Sequence, residues 1–211
     1  MSVWAVVVGG GMGIRYGTVK QYEHLGDKRV VDWALEAARS VAEGVVLVVP
    51  PDRAGETEHG VDAVVAGGPT RPASVRAGLA AVPGDAEIIV VHDAARPLAS
   101  VGLFERVIER VREGADAAIP GLQPADTIKR VDGGVVLGTV DREGLAAVQT
   151  PQAFAAAVLR RAHEGDPEAT DDAALVEAIG GSVVLVPGEE GNTKITSPHD
   201  LVVARALINH A

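Results

Sequence analysis

The sequence predicts a three-layer α/β domain built on a mostly parallel sheet with helices on both faces. Two observations carry this prediction. Through the first two-thirds of the chain, short Val-, Ile- and Ala-rich runs alternate with stretches of helical spacing. Several of those runs are apolar at nearly every position, as strands covered on both faces should be. The chain has 211 residues, 47% of them hydrophobic and 23% charged, which suits a single globular domain over 1–211. With aromatics at 3%, the core must be built from Val, Ala, Leu and Ile.

In order, the strand candidates are Val3–Val8, Gly44–Val49, Val61–Ala66, Glu87–His92 and Ala115–Pro120. Between them lie the helix candidates Val30–Ala42, Pro72–Val82 and Val101–Glu113. In the last of these, Leu103, Val107, Ile108 and Val111 share one face. The pattern then changes. Ala125–Val131 and Gly134–Val140 are short β-like runs around Asp132-Gly133-Gly134, a hairpin signal, and 122–148 reads as an arm leaving the main sheet. Further on, Thr170 precedes a helical run with two acids in its first turn, and Ser182–Val186 reads as a strand. Ser197-Pro198-His199-Asp200 offers an N-cap, a Pro at the first helical position and an acid three residues after the cap.

Composition excludes several classes of function. The absence of Cys rules out disulfides, thiolate metal sites and a Cys nucleophile. No run is long enough for a transmembrane helix, and the N-terminal apolar run leads straight into glycines, as a buried strand does and a signal peptide does not. A cytoplasmic protein without a membrane partner is expected. The net charge of −10 argues against a nucleic-acid partner, yet a few cations gathered in one cleft would still bind a polyphosphate.

Three loops carry candidate chemistry. Gly9-Gly10-Gly11-Met12-Gly13-Ile14-Arg15, followed by Lys20, leaves the first strand at the carboxyl edge where open α/β sheets bind ligands. Its glycines let the backbone approach a phosphate, and Arg15 and Lys20 add charge that would stabilise a crowded phosphorus centre. Neither the dinucleotide Gly-x-Gly-x-x-Gly pattern nor a P-loop is present. His92-Asp93-Ala94-Ala95-Arg96-Pro97 follows another apolar strand. There Asp93 is placed to hold Mg²⁺ or a ribose hydroxyl, Arg96 to steer phosphate, and His92 to pack or make a local hydrogen bond. Gly67-Gly68-Pro69-Thr70-Arg71-Pro72-Ala73-Ser74 is a third edge loop, with Ser74 suited to a base edge and Arg71 to phosphate. Taken singly, each loop also reads as an ordinary turn with solvated charges.

Together these segments resemble the 2-C-methyl-D-erythritol 4-phosphate cytidylyltransferase family, from Val6 to about Leu207. The most specific parts are His92–Pro97, Asp126-Thr127-Ile128-Lys129, Thr139-Val140-Asp141-Arg142, Gln149-Thr150-Pro151-Gln152, Thr170-Asp171-Asp172 and Lys194-Ile195-Thr196. The resemblance implies a Rossmann-like nucleotidyltransferase fold. It also implies an in-line attack by a polyol phosphate on the α-phosphorus of CTP, with Mg²⁺ on the triphosphate. Arg15 and Lys20 would stabilise the transition state. Arg142 and Lys194 would position the substrate phosphate, with Thr127 and Thr150 beside it. Gly9, Gly10, Gly11 and Gly13 would cradle the nucleotide. Gly67, Gly68, Arg71 and Ser74 would meet the base and phosphates, and Asp93, Ala94 and Arg96 the ribose, metal and phosphate end. The resemblance further implies a homodimer in which Arg142 serves the neighbouring site. Val131, Val135, Val136 and Leu137 give the arm too few apolar partners to stand alone.

The chain departs from the family pattern. Gly9-Gly10-Gly11 stands where Ala-Ala-Gly is usual, Ile14 replaces a basic residue, and the stretch from Arg15 to Lys20 is about two residues shorter. Val19 replaces a Pro, and Pro69 and Gly191 stand where acids are common. Two other readings stay open at this level: a ribitol 5-phosphate or other pentitol-phosphate cytidylyltransferase, and a nucleotide-binding module without turnover.

Overall fold

The computed structural model describes residues 1–11 and 20–208; Gly13 and Arg15, named above as site residues, lie outside the described residues. The elements are β1 (Val3–Val8), β2 (His24–Leu25), β3 (Lys28–Arg29), α1 (Val30–Arg39), β4 (Gly44–Val49), β5 (Ala63–Ala66), α2 (Arg71–Ala81) and β6 (Ile88–Asp93). They continue with α3 (Val101–Arg112), β7 (Ala117–Leu122), β8 (Ile128–Asp132), β9 (Val135–Val140), β10 (Ala147–Val148), β11 (Gln152–Ala155), α4 (Ala156–Ala162), α5 (Asp172–Ala178), β12 (Val183–Pro187) and α6 (Pro198–Ile208).

The main sheet runs β10-β7-β11-β6-β1-β4-β5, with β12 also paired to β7. Pairs β1–β4, β1–β6, β4–β5 and β7–β12 are parallel. Strand alternation divides the core. Val3, Ala5, Val7, Val45, Leu47 and Val90 face α1 and α3, whereas Val6, Val46, Val48, Ile89 and Val91 face α2, α4 and α5. In α3, Leu103, Phe104, Val107, Ile108 and Val111 are all buried, and each fully buried side chain of this kind contributes roughly 1.5–3 kcal/mol. A third cluster seats Leu201 and Ala204 of α6 on Leu25, Val30 and Ile195. Asp200 closes the start of α6 by accepting hydrogen bonds from the Thr196 and Ser197 backbone N–H groups, both at 2.8 Å, as the capping pattern requires.

Besides the short β2–β3 hairpin, three features lie outside the sequence reading. Strands β10 and β11 both run antiparallel to β7, and β11 also pairs antiparallel with β6 in the middle of the sheet. The Gln152-Ala153-Phe154-Ala155 run is too short and too polar at its start to stand out. Helix α4, at seven residues, follows it directly. Helix α5 starts with Asp171 as its cap, accepting from the Ala174 N–H at 3.0 Å, so only Asp172 lies in the first turn.

The arm is a separate two-stranded sheet of β8 and β9, narrower than 122–148, because Leu122 ends β7 and Ala147–Val148 pair with that strand as β10 in the main sheet. Gly133 and Gly134 have φ of 52° and 83°, the positive values that a tight hairpin turn between right-twisted strands needs. Val131, Val135, Val136 and Leu137 are each at least 58% exposed.

Candidate active site

A cleft of about 690 Å³ opens at the carboxyl ends of the central strands. Gly9–Gly11, Gly67–Arg71, Ser74, Asp93–Ala95, Lys20 and Lys194 line it. The loops grow out of the strand ladder: Gly9 N–H donates to the Val48 carbonyl at 2.8 Å, Gly67 N–H to Val49 at 2.7 Å and Ala94 N–H to Val8 at 3.0 Å. A Cβ on Gly67 would sit 3.2 Å from the Cα of Gly10 and 3.0 Å from Ser74 Oγ, tighter than ordinary contact, so a side chain there would push the two turns apart.

Ser74 is buried, and its hydroxyl works within the Gly68 turn. It accepts from the Gly68 N–H at 3.1 Å and lies 3.0 Å from the Thr70 carbonyl and 3.3 Å from that of Gly68. It therefore shapes the turn whose backbone faces the cleft. Gln21 makes a similar brace on the other side. Its buried side-chain amide donates to the carbonyls of Gly9 and, at 3.2 Å, Gly11, tying the glycine loop to the short helical turn that begins with Lys20.

The charged floor is a chain of pairs. Lys194 Nζ is 2.5 Å from Asp93 Oδ2, and Arg71 Nε is 3.5 Å from Asp93 Oδ1. Arg71 Nη1 donates to Asp172 Oδ2 at 2.7 Å, and His163 Nε2 lies 3.0 Å from Asp172 Oδ1. Burial alone would raise the Asp93 carboxyl. Lys194, Arg71 and Arg96 outweigh it and hold the group well below the usual carboxylate range, so it is ionised throughout the neutral range.

Behind Asp93, Thr150 Oγ1 accepts from the Asp93 N–H at 3.0 Å and contacts His92 Nδ1 at 3.2 Å, while His92 Nε2 is 3.1 Å from the Arg96 carbonyl. Only a donor can satisfy the carbonyl, so His92 carries its proton on Nε2 and accepts the Thr150 hydroxyl at Nδ1. Burial pushes the His92 imidazole down to about 4, against the raising effect of Asp93 and the Arg96 carbonyl. Asn192 donates to the Thr150 carbonyl at 2.8 Å, its own backbone carbonyl accepts from Arg96 Nη1 at 2.7 Å, and Ile195 N–H reaches the Ala95 carbonyl at 2.8 Å. These bonds seat the segment that presents Lys194.

Residues 3–210 match the family model described as 2-C-methyl-D-erythritol 4-phosphate cytidylyltransferase. The chain belongs to this family. The relative of that name from Rhodococcus opacus is 47% identical over 217 residues, which cover 98% of this chain and 95% of the relative. The one from Streptomyces coelicolor is 43% identical over 226 residues, covering 97% and 84%. The crystal structure of 2-C-methyl-D-erythritol 4-phosphate cytidylyltransferase from Thermus thermophilus superposes with a TM-score of 0.84 at 38% identity, covering 99% of this chain and 100% of that one.

Of the residues that the likeness to this cytidylyltransferase family assigned, the cleft gathers Gly9, Gly10, Gly11, Lys20, Gly67, Gly68, Arg71, Ser74, Asp93, Ala94 and Lys194. Arg96 and Thr150 sit behind it, with polar atoms engaged inside the protein. Thr127 and Arg142 are exposed at the arm, where the Arg142 guanidinium donates to the carbonyls of Pro124, at 3.4 Å, and Ala125. Gln21, Asp172, His163 and Asn192 were given no role by sequence reasoning. Asp172 and Asn192 fell within or beside motifs already noted, and their burial was the missing signal. A second cleft, of about 530 Å³ beside α1, is lined by charges that include the pairs Lys28–Glu36 and Arg29–Asp32.

Proposed function

We propose that the protein transfers a cytidylyl group from CTP to 2-C-methyl-D-erythritol 4-phosphate, giving 4-diphosphocytidyl-2-C-methyl-D-erythritol and pyrophosphate. The observation that carries this reading is one cleft, in a chain of this family, that brings the glycine loop, Lys20, Arg71, Asp93 and Lys194 together. A phosphate oxygen of the polyol phosphate attacks the α-phosphorus. The bond from that phosphorus to the oxygen bridging to the β-phosphorus breaks, and pyrophosphate leaves with the electron pair. The transition state carries its extra charge on phosphoryl oxygens, so fixed cations lower the barrier. Lys20, together with Arg15, serves this role, and Lys194 holds the incoming phosphate. The backbone of Gly67–Pro69, shaped by Ser74, reads cytosine.

Mg²⁺ belongs to the same proposal. No group of three or more acidic or His side chains suited to a metal occurs among the described residues. One ionised carboxylate at the cleft fits an ion that arrives on a triphosphate and takes most of its oxygen ligands from phosphate and water. Asp93 would hold it, and the ion would neutralise charge on the triphosphate.

A homodimer completes the reading, with the arm covered by its partner and Arg142 carried to the neighbouring cleft. No helix among the described residues is long and apolar enough to cross a membrane, and a cytoplasmic location is proposed on the chain's composition.

The test is pyrophosphate release in a coupled assay containing Mg²⁺, with CTP or UTP and with methylerythritol phosphate or ribitol 5-phosphate. CTP with methylerythritol phosphate is expected to be the preferred pair. UTP should be poorer by a factor on the order of 10⁴, because a buried site built for an amino group leaves its acceptors unpaired against a uracil oxygen. Faster turnover of ribitol 5-phosphate would transfer the assignment to that substrate. CTP binding without turnover of either would make the protein a nucleotide-binding module.

A further inference from the structure

Arg71 occupies the first position of α2, after the Thr70 N-cap. A cation there is disfavoured, since the helix N-terminus is already positive. Its side chain nevertheless stays 23% exposed and points inward, between two carboxylates. The Asp93 carboxylate is the obvious partner, yet it is the more distant one, at 3.5 Å against 2.7 Å for Asp172. Asp172 has a fully buried side chain. Its second oxygen is satisfied by His163, whose side chain is 3% exposed and whose Nδ1 has no hydrogen-bond partner among the described residues. A buried carboxylate is costly unless paired, and buried pairs seldom add net stability over apolar side chains. This arrangement therefore reads as a device for placing a group.

We infer that Asp172 is a positioning residue for the proposed transfer: it draws the Arg71 guanidinium away from Asp93, and His163 holds Asp172 in place. With one nitrogen bound to Asp172, Arg71 cannot close on Asp93 as a two-pronged pair. It remains at the cleft wall to meet a phosphate, and Asp93 Oδ1, the oxygen that Lys194 does not hold, stays available to the nucleotide. Without Asp172, Arg71 would collapse onto Asp93 and both groups would be lost to CTP. The inference rests on the nucleotide reading of the cleft, and His163 and Asp172 act only through Arg71.

The test is a double-mutant cycle on CTP affinity by calorimetry and on kcat/KM by pyrophosphate release, using wild type, Asp172→Asn, Arg71→Met and the double variant. Asp172→Asn should weaken CTP binding and kcat/KM by roughly 10–100-fold, the usual cost of losing a residue that orients a contacting group. In the Arg71→Met background the same change should cost less than about twofold, because the group it orients is already gone. Should Asp172→Asn fail to fold, His163→Ala and His163→Gln replace it. The alanine should lose affinity only when Arg71 is present, and the glutamine, which keeps an N–H donor, should restore it. An equal cost in both backgrounds, or unchanged CTP affinity in Asp172→Asn, would overturn the inference. Wild type that binds CTP but releases no pyrophosphate would overturn the proposed reaction, and the cycle on affinity would still decide the inference. Wild type that does not bind CTP overturns both.

Discussion

His92 gives the sequence of titration events around Asp93 a measurable signature. Its ring is fully buried against Phe104, with both nitrogens engaged, and burial holds it at about 4 against an ordinary value of 6.5. In the unfolded chain the imidazole takes up a proton as pH falls below 6.5, and in the native protein it does so only near 4. Between those values the unfolded state binds more protons, so native stability falls as pH is lowered. The contribution is fully present above pH 6.5 and is lost by about pH 4. A depression of about 2.5 units at roughly 1.36 kcal/mol each gives about 3 kcal/mol. The perturbation is His92→Gln, which keeps polar groups but does not titrate. Urea unfolding of both proteins, at half-unit steps from about pH 7.5 to 4, isolates His92 from the other histidines by difference. The wild-type curve should drop by about 3 kcal/mol more than that of the variant over this range. Parallel curves would mean that the native ring takes up its proton as it does in the unfolded chain, and would refute its burial as a neutral ring.

The cleft and the arm give two further expected outcomes. When inactive Lys20→Ala and Arg142→Ala proteins are denatured and remixed in equal amounts, random pairing should restore about a quarter of wild-type activity, because each heterodimer carries one unaltered site. Demonstrable heterodimers with no recovered activity would show that Arg142 serves its own chain. Gly67→Ala places a Cβ 3.0 Å from Ser74 Oγ and 3.2 Å from the Gly10 Cα. It should cost about 1–3 kcal/mol in urea unfolding and raise the KM for CTP, and wild-type values for both would show that the two turns do not need their contact.

The sequence made the parallel half of the sheet legible because β1, β4 and β6 are apolar at nearly every position, a pattern that only two-sided burial explains. It left β11 hidden for an equally physical reason. Four residues beginning with Gln and preceded by Pro carry no periodic signal, and their place between β6 and β7 is decided by long-range pairing. The candidate site divides in the same way. Glycines, Lys20, Asp93 and Lys194 stood out by residue type and by their position after strands. Their pairing did not: Lys194 meets Asp93, and Arg71 meets Asp172, in each case across 101 residues of chain. Ser74 shows a subtler gap. Its residue type suggested a reader of the base, whereas its hydrogen bonds show a hydroxyl that supports the turn beside it.

The order of strands assigns the two ends of the cleft to different parts of the chain. On one side of β1 lie β4, β5 and α2, which supply the Gly67–Ser74 turn. On the other lie β6, β11 and β7, which neighbour the segment presenting Lys194 and lead to the arm. In the proposed reaction the first half reads the base and the second presents Lys194 to the acceptor, and they meet at Asp93 on the last position of β6, beside the nucleotide's phosphates. Such a layout lets one half drift while the other is kept. A lineage that exchanged one polyol phosphate for another would accumulate its changes in the β8–β9 arm and around 189–194, and leave the Gly9 and Gly67 turns intact.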